Sequence, residues 1–144
     1  MIRTTKKLMY FHITAFLSLP LFFIYSNTLD FILAFIVYFL MAGLGQAITY
    51  HRLLSHKSFT APRWFFLCGN LFTTFAGVGS GLGWAANHLK HHRFSDMEKD
   101  THSPHYQSKW KIWTSSMASE VDMKYAASLI KNPTLIWFHE NYWK

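Results

Sequence analysis

The chain is 144 residues long, 51% hydrophobic and 19% aromatic, which is more apolar surface than a soluble domain of this size can bury. Its net charge of +7 comes from basic residues scattered through loops and interleaved with Trp and Phe, a pattern that fits an anionic membrane surface and argues against nucleic acid. Cys68 is the only cysteine, so the chain has neither a disulfide framework nor a pair of thiols for a metal.

From the N-terminus, Arg3, Lys6 and Lys7 precede an uncharged apolar run from Leu8 to Tyr25, broken only by His12 and Pro20. A second run, Phe31 to Tyr50, follows at once with no clean small-residue cleavage site between them, which speaks against a secretory signal. Between Lys7 and Arg52 there is no Lys or Arg, and Asp30 is the only acid. Runs of this length cross about 30 Å as helices, so transmembrane helices are expected at about 8–25 and 31–50. The connector Ser26 to Asp30 is short and lacks basic residues. By the positive-inside rule the pair is a hairpin with both ends, including the N-terminus, on the cytosolic face.

Thr60 and Pro62 open a third uncharged stretch as helix-start signals. Its first part, about 62–76, is too short to span and reads as an interfacial helix. The second part alternates Gly77, Gly79, Gly81 and Gly83, which disfavours helix, and a tight irregular segment is expected there. These glycines do not match a dinucleotide fingerprint and imply close backbone packing. Further on, Trp113, Met117, Val121, Tyr125 and Leu129 recur every four residues, with Glu120 placed to pair with Lys124. An amphipathic interfacial helix is therefore expected at about 111–131, stopped by Asn132-Pro133. The tail, with Trp137, Phe138, Tyr142 and Trp143, has the aromatic character of a membrane interface. The fold class is thus an all-α membrane protein.

Nine histidines are many for this length, and two clusters stand out. His51 and His56 form H-x-x-x-x-H after the second apolar run, and His88, His91 and His92 form H-x-x-H-H. On an α-helix, positions i, i+3 and i+4 lie within about 100 degrees, so the second box puts three imidazoles on one face. The first box diverges by about 140 degrees and serves two metals, or one if the helix frays. Neutral imidazole suits iron, copper, nickel or zinc, and spacing does not choose among them. Asp96, Glu98 and Asp100 are either acceptors that orient imidazole N–H groups or a wet loop. His12, His102, His105 and His139, each alone, read as solvated.

Three stretches, HRLLSHKSF at 51–59, WAANHLKHHRFSD at 84–96 and DTHSP at 100–104, make the chain resemble the integral-membrane fatty acid desaturases of the stearoyl-CoA desaturase type. The resemblance implies half of a four-helix desaturase fold, with the boxes on the cytosolic face of a multi-pass membrane protein. It also implies two iron ions held by His51, His56, His88, His91 and His92, and if the nearby carboxylates orient those rings the candidates are Asp96 and Asp100. The implied reaction is oxygen-dependent insertion of a cis double bond into an acyl chain, on an acyl-CoA or acyl-lipid substrate. Electrons would come from a ferredoxin or a b-type cytochrome. The candidate substrate contacts are Trp84 and Asn87.

Three departures mark this sequence. Thr101 stands where the family's Asp-Pro-His segment has proline. Ala86 and Asn87 replace an Arg-Asp pair that holds coenzyme A in animal relatives. The segment Thr114 to Ala118 lacks the usual His-x-Gly-Trp. The family's third histidine box belongs to a second helix pair, so the expectation is a truncated or split N-terminal half that is inactive by itself. The alternative reading is a non-catalytic membrane protein that binds or transports metal.

Overall fold

The computed structural model describes residues 5–118 and 121–142, and every regular element among them is a helix. Helix α1 covers Thr5–Tyr25 and α2 covers Thr28–Tyr38, which runs on without a break as a π-helical segment over Phe39–Ser55. Then come α3 (Arg63–Phe75), α4 (Gly81–Phe94), α5 (Lys109–Ala118), α6 (Met123–Ala126) and α7 (Pro133–Asn141).

Asp30, the lone acid of the apolar region, is a capping residue. Asn27 Oδ1 accepts from the N–H groups of Leu29 and Asp30, and Asp30 Oδ2 accepts from Asn27 N–H at 2.9 Å. This reciprocal pair satisfies the first donors of α2 and ends α1 two residues earlier. Phe22 packs edge-on against Phe31 at 5.1 Å, across the break between α1 and α2. The helix that follows is continuous from Thr28 to Ser55, longer than the expected 31–50, and carries His51 in its last turns. It is long and apolar enough to cross a membrane, whereas the apolar part of α1, Met9–Tyr25, is shorter. No side chain of α2 is buried in the protein.

Helix α3 packs against the π segment through a reciprocal pair of small residues. A Cβ on Gly69 would sit 2.7 Å from Thr49 Cβ, and one on Gly45 would sit 2.9 Å from the Thr73 backbone nitrogen. Each glycine therefore receives the threonine opposite, the close approach by which apolar helices associate where burial from water gives no drive. Thr73 Oγ1 turns back to Gly69 O at 2.7 Å, so its hydroxyl costs nothing at the contact.

The core lies where the end of the π segment, α4, α6 and α7 meet, and includes Tyr50, Leu54, Leu82, Ala85, Ala126 and Leu135. Helix resumes at Gly81, earlier than the glycine pattern suggests. Ser80 caps it, its Oγ accepting from Gly83 N–H, and the irregular stretch is confined to residues 76–80, where Gly77 and Gly79 take positive φ.

The single helix expected over 111–131 is interrupted. Asp122 is extended and its carboxylate caps α6 by accepting from Lys124 N–H, so α5 and α6 are separate helices. Asp122 also meets Lys90 of α4 at 3.8 Å. Glu120, the expected partner of Lys124, lies outside the described residues, as does Trp143 of the aromatic tail. Asn132 does not only stop what precedes it: its Oδ1 accepts from Thr134 and Leu135 N–H, and Pro133 occupies the first position of α7.

Candidate metal centre

The first box is set by the unusual winding of its helix. In the π segment backbone bonds run from residue i to i+5, and side-chain hydroxyls follow the same step: Thr49 Oγ1 donates to Leu44 O and Ser55 Oγ to Tyr50 O, both at 2.8 Å. His56 N–H donates to His51 O at 3.1 Å, closing one such ring around the box itself. Residues five apart therefore stack along the helix instead of diverging. The two imidazoles lie 4.5 Å apart, which corrects the 140-degree divergence that α-helical winding predicts.

The second box meets the first. His88 Nε2 lies 3.2 Å from His56 Nε2 and 3.0 Å from His92 Nε2. One ligating nitrogen from each of His51, His56, His88 and His92 falls within 4.8 Å of all the others. Two nitrogens bound to one transition-metal ion at about 2.0–2.1 Å stand about 3 Å apart, so these spacings fit a shared ion. Without a cation, imidazole lone pairs this close repel unless one ring supplies a proton. The donor set can hold a metal, with the half-buried His51 and His88 on its inner side and the exposed His56 and His92 on its rim.

His91 does not share that face. Its Nδ1 lies 2.7 Å from Asp100 Oδ1, and its ring meets His102 at 5.7 Å. The three imidazoles expected on one side of α4 thus divide two to one. Asp100 is 1% exposed and takes further bonds from His102 N–H at 2.9 Å and Asp96 N–H at 3.0 Å. Burial pushes its carboxyl up, but the bonds from His91, His102 and Asp96 outweigh this and hold it below the usual range. A carboxylate on His91 Nδ1 fixes that proton in place and leaves Nε2 as the free lone pair. His91, Asp100 and His102 also form a second group with ligand atoms close enough to hold a metal. Asp96 contributes its backbone N–H to this network while its side chain is exposed.

Burial lowers the basicity of His88, to about 4, reinforced by the mutual repulsion of His92, His51, His56 and His91. His56 is lowered by burial and then by His51 and His92, and His102 by burial and then by His91. Rings held neutral offer lone pairs instead of charge, the state a metal needs.

Of the histidines expected to be solvated, His105 is exposed, but the others are not free in water. His12 packs edge-on against Trp113 at 6.1 Å. His102 sits in the Asp100 network. His139 Nδ1 is hydrogen-bonded to Ser80 Oγ, beside Tyr142, whose hydroxyl accepts from Gly79 N–H at 3.1 Å and donates to Thr74 O at 3.3 Å. These bonds tie α7 to the joint in front of the second box. Spacing does not reveal them, because the partners are about sixty residues apart. The two candidate substrate contacts, Trp84 and Asn87, are half-buried on α4 within one turn of His88.

Comparison with known proteins matches the fatty acid desaturase profile over residues 8–143. The chain is similar to Delta-9 acyl-lipid desaturase 2 of Arabidopsis thaliana, 34% identical over 92 residues, which covers 64% of this chain and 29% of that protein. It is 43% identical over 75 residues to Delta-9 acyl-lipid desaturase 1 of the same plant, covering 49% of this chain and 23% of the relative. With the sn-1 stearoyl-lipid 9-desaturase of Synechocystis sp. it shares 35% identity over 108 residues, 72% of this chain and 31% of the relative. The chain spans less than a third of the length of these relatives. No solved structure matches it at a significant level.

Proposed function

The chain belongs to the fatty acid desaturase family, and from that premise we propose that it supplies the first two histidine boxes of an enzyme that uses O2 to insert a cis double bond into a fatty acyl chain. The observation that carries this reading is the convergence of His51, His56, His88 and His92, drawn from two separate helices, to ligand spacing. Bound there, iron supplies the redox chemistry that removes hydrogen from an unactivated alkyl chain, a step beyond any side-chain acid or base.

The protein's part is to hold the imidazoles converging and partly shielded. His51, His56, His88, His91 and His92 are the proposed ligands of a di-iron centre, His91 through the Nε2 that Asp100 leaves free. Asp96 supports Asp100 through its backbone. Trp84 and Asn87 are the proposed contacts of the acyl substrate. Its carrier is proposed to be a lipid, because Asn87 stands where the coenzyme A contact would be and the relatives named above are acyl-lipid and stearoyl-lipid desaturases.

A multi-pass membrane location is supported by the length of Thr28–Ser55 and by the apolar exterior of α1 and α2, where Leu17 is 72% and Phe35 68% exposed. Water would not tolerate such a surface, and lipid would. The helix break at Ser26-Asn27, with basic residues only at the outer ends of the two apolar runs, favours a hairpin with the boxes and N-terminus on the cytosolic face. The electron donor is proposed to be a ferredoxin or b-type cytochrome.

Anaerobic titration of the chain in lipid nanodiscs with Fe2+ tests the reading. Uptake of iron that is lost in His88→Ala is expected, as are new double bonds in the lipids of a desaturase-deficient host expressing the whole protein. Metal flux across the membrane with no new double bonds would instead establish a metal-binding or transport protein.

A further inference from the structure

Helix α4 carries one aromatic residue a single turn ahead of His88. The Trp84 indole lies 4.8 Å from the His88 ring at an interplanar angle of 21°, a stacked pair. The same indole meets His51 of the first box edge-on at 6.4 Å and 78°, and Tyr50 in the core at 6.0 Å. His88 is the hub of the cluster, since its Nε2 is within hydrogen-bonding distance of both His56 and His92. Trp84 thus touches a ring of each box and itself packs against the hydrophobic core.

We propose that Trp84 is a positioning residue of the metal centre: stacked on His88 and abutting His51, it fixes the ring planes that aim both boxes at one point. This rests on the metal reading of the cluster. The imidazole of His88 can turn about two side-chain bonds, and among the described residues no carboxylate is bonded to it as Asp100 is to His91. A flat indole against one face removes most of that freedom before any metal arrives, so less ordering is left to be done on binding. The stack also strengthens on loading, because a metal-bound imidazole draws positive charge toward the π face of the indole. Trp84 thereby does with an aromatic surface what an outer hydrogen bond does for other metal-binding histidines. One indole face is committed to this stack, and only what remains is open to an acyl chain.

Phenylalanine keeps a flat surface and leucine does not, so Trp84→Phe and Trp84→Leu separate positioning from bulk. The probe is Co2+ alone, titrated into the full chain in nanodiscs and read by its visible absorption. In parallel, NMR of the metal-free chain reads the His88 ring protons, which a stacked indole displaces upfield. Trp84→Leu is expected to weaken Co2+ binding about tenfold, in the range typical of lost outer-shell support. It should also abolish the upfield displacement, while Trp84→Phe retains most of both. Trp84→Leu that lowers thermal stability yet binds Co2+ as tightly as the parent overturns the inference, since the residue is then packing only. A parent chain whose His88 protons show no upfield displacement overturns it too, whether or not either variant folds. If the parent takes up no Co2+ at all, the metal reading fails first and this inference falls with it.

Discussion

Replacing Gly69 by alanine puts helix propensity and packing in direct opposition. Alanine in a helix is favoured over glycine by about 1 kcal/mol, so a glycine idle in α3 would make Gly69→Ala stabilising. The new Cβ, however, would fall 2.7 Å from Thr49 Cβ and nearer still to Thr49 Oγ1, against the facing π segment. Overpacking of this kind costs about 1–3 kcal/mol, and neither helical backbone can yield alone. The net expectation is a loss of about 1 kcal/mol, since the cost outweighs the propensity gain. Gly43→Ala serves as control, because its Cβ meets only the Phe39 ring at 3.7 Å, an ordinary contact, and is expected to be neutral or stabilising. Moving the glycine across the interface, as Thr49→Gly with Gly69→Ala, should recover most of the loss. Unfolding in mixed micelles by titration with a denaturing detergent, followed by helical circular dichroism, gives the order of the four chains. A Gly69→Ala chain as stable as the parent would refute the reciprocal contact between α3 and the π segment.

Three further outcomes are expected. Asp100→Asn, which leaves the fold of the 95–103 loop nearly isosteric but removes the charge facing His91, should lower Co2+ affinity about tenfold and stability by about 1.5–3 kcal/mol; competition with a chelator and thermal melting measure the two. Burial holds His139 below its ordinary range against the opposing pull of Glu140. The unfolded chain therefore binds more protons than the folded one as pH drops below about 6.5, and stability falls through that window. Melting curves should show His139→Asn with a shallower decline than the parent, the remaining slope belonging to His56, His88 and His102, which are lowered in the same direction. Asn132→Ala, which leaves the Thr134 and Leu135 N–H groups without their acceptor, should cost about 1 kcal/mol in the same melts.

The sequence makes legible what depends on local spacing. The uninterrupted apolar stretch ahead of His51 marks a helix able to cross a membrane, and the two histidine boxes mark the residues that converge. What it conceals depends on how many residues make a turn and on partners far away. Nothing in H-x-x-x-x-H announces π winding. The hydroxyls of Thr49 and Ser55, each placed five residues after the carbonyl it bonds, are a local trace of it. The division of His91 from His88 and His92 is set by Asp100, whose burial no period reveals. The break between α5 and α6 is hidden because the four-residue period runs unaltered through Val121 while Asp122 diverts the backbone.

The bonds from Tyr142 to Gly79 and Thr74, and from His139 to Ser80, span about sixty residues. They make the second box part of a closed loop whose clasp is the last described helix. A ribosome adding about 5–20 residues per second needs roughly 3–13 seconds to travel from Gly79 to Tyr142. Throughout that interval His88, His91 and His92 have been synthesised while the joint before them is still unclasped. The joint before the second box is therefore clasped only after Tyr142 has been made.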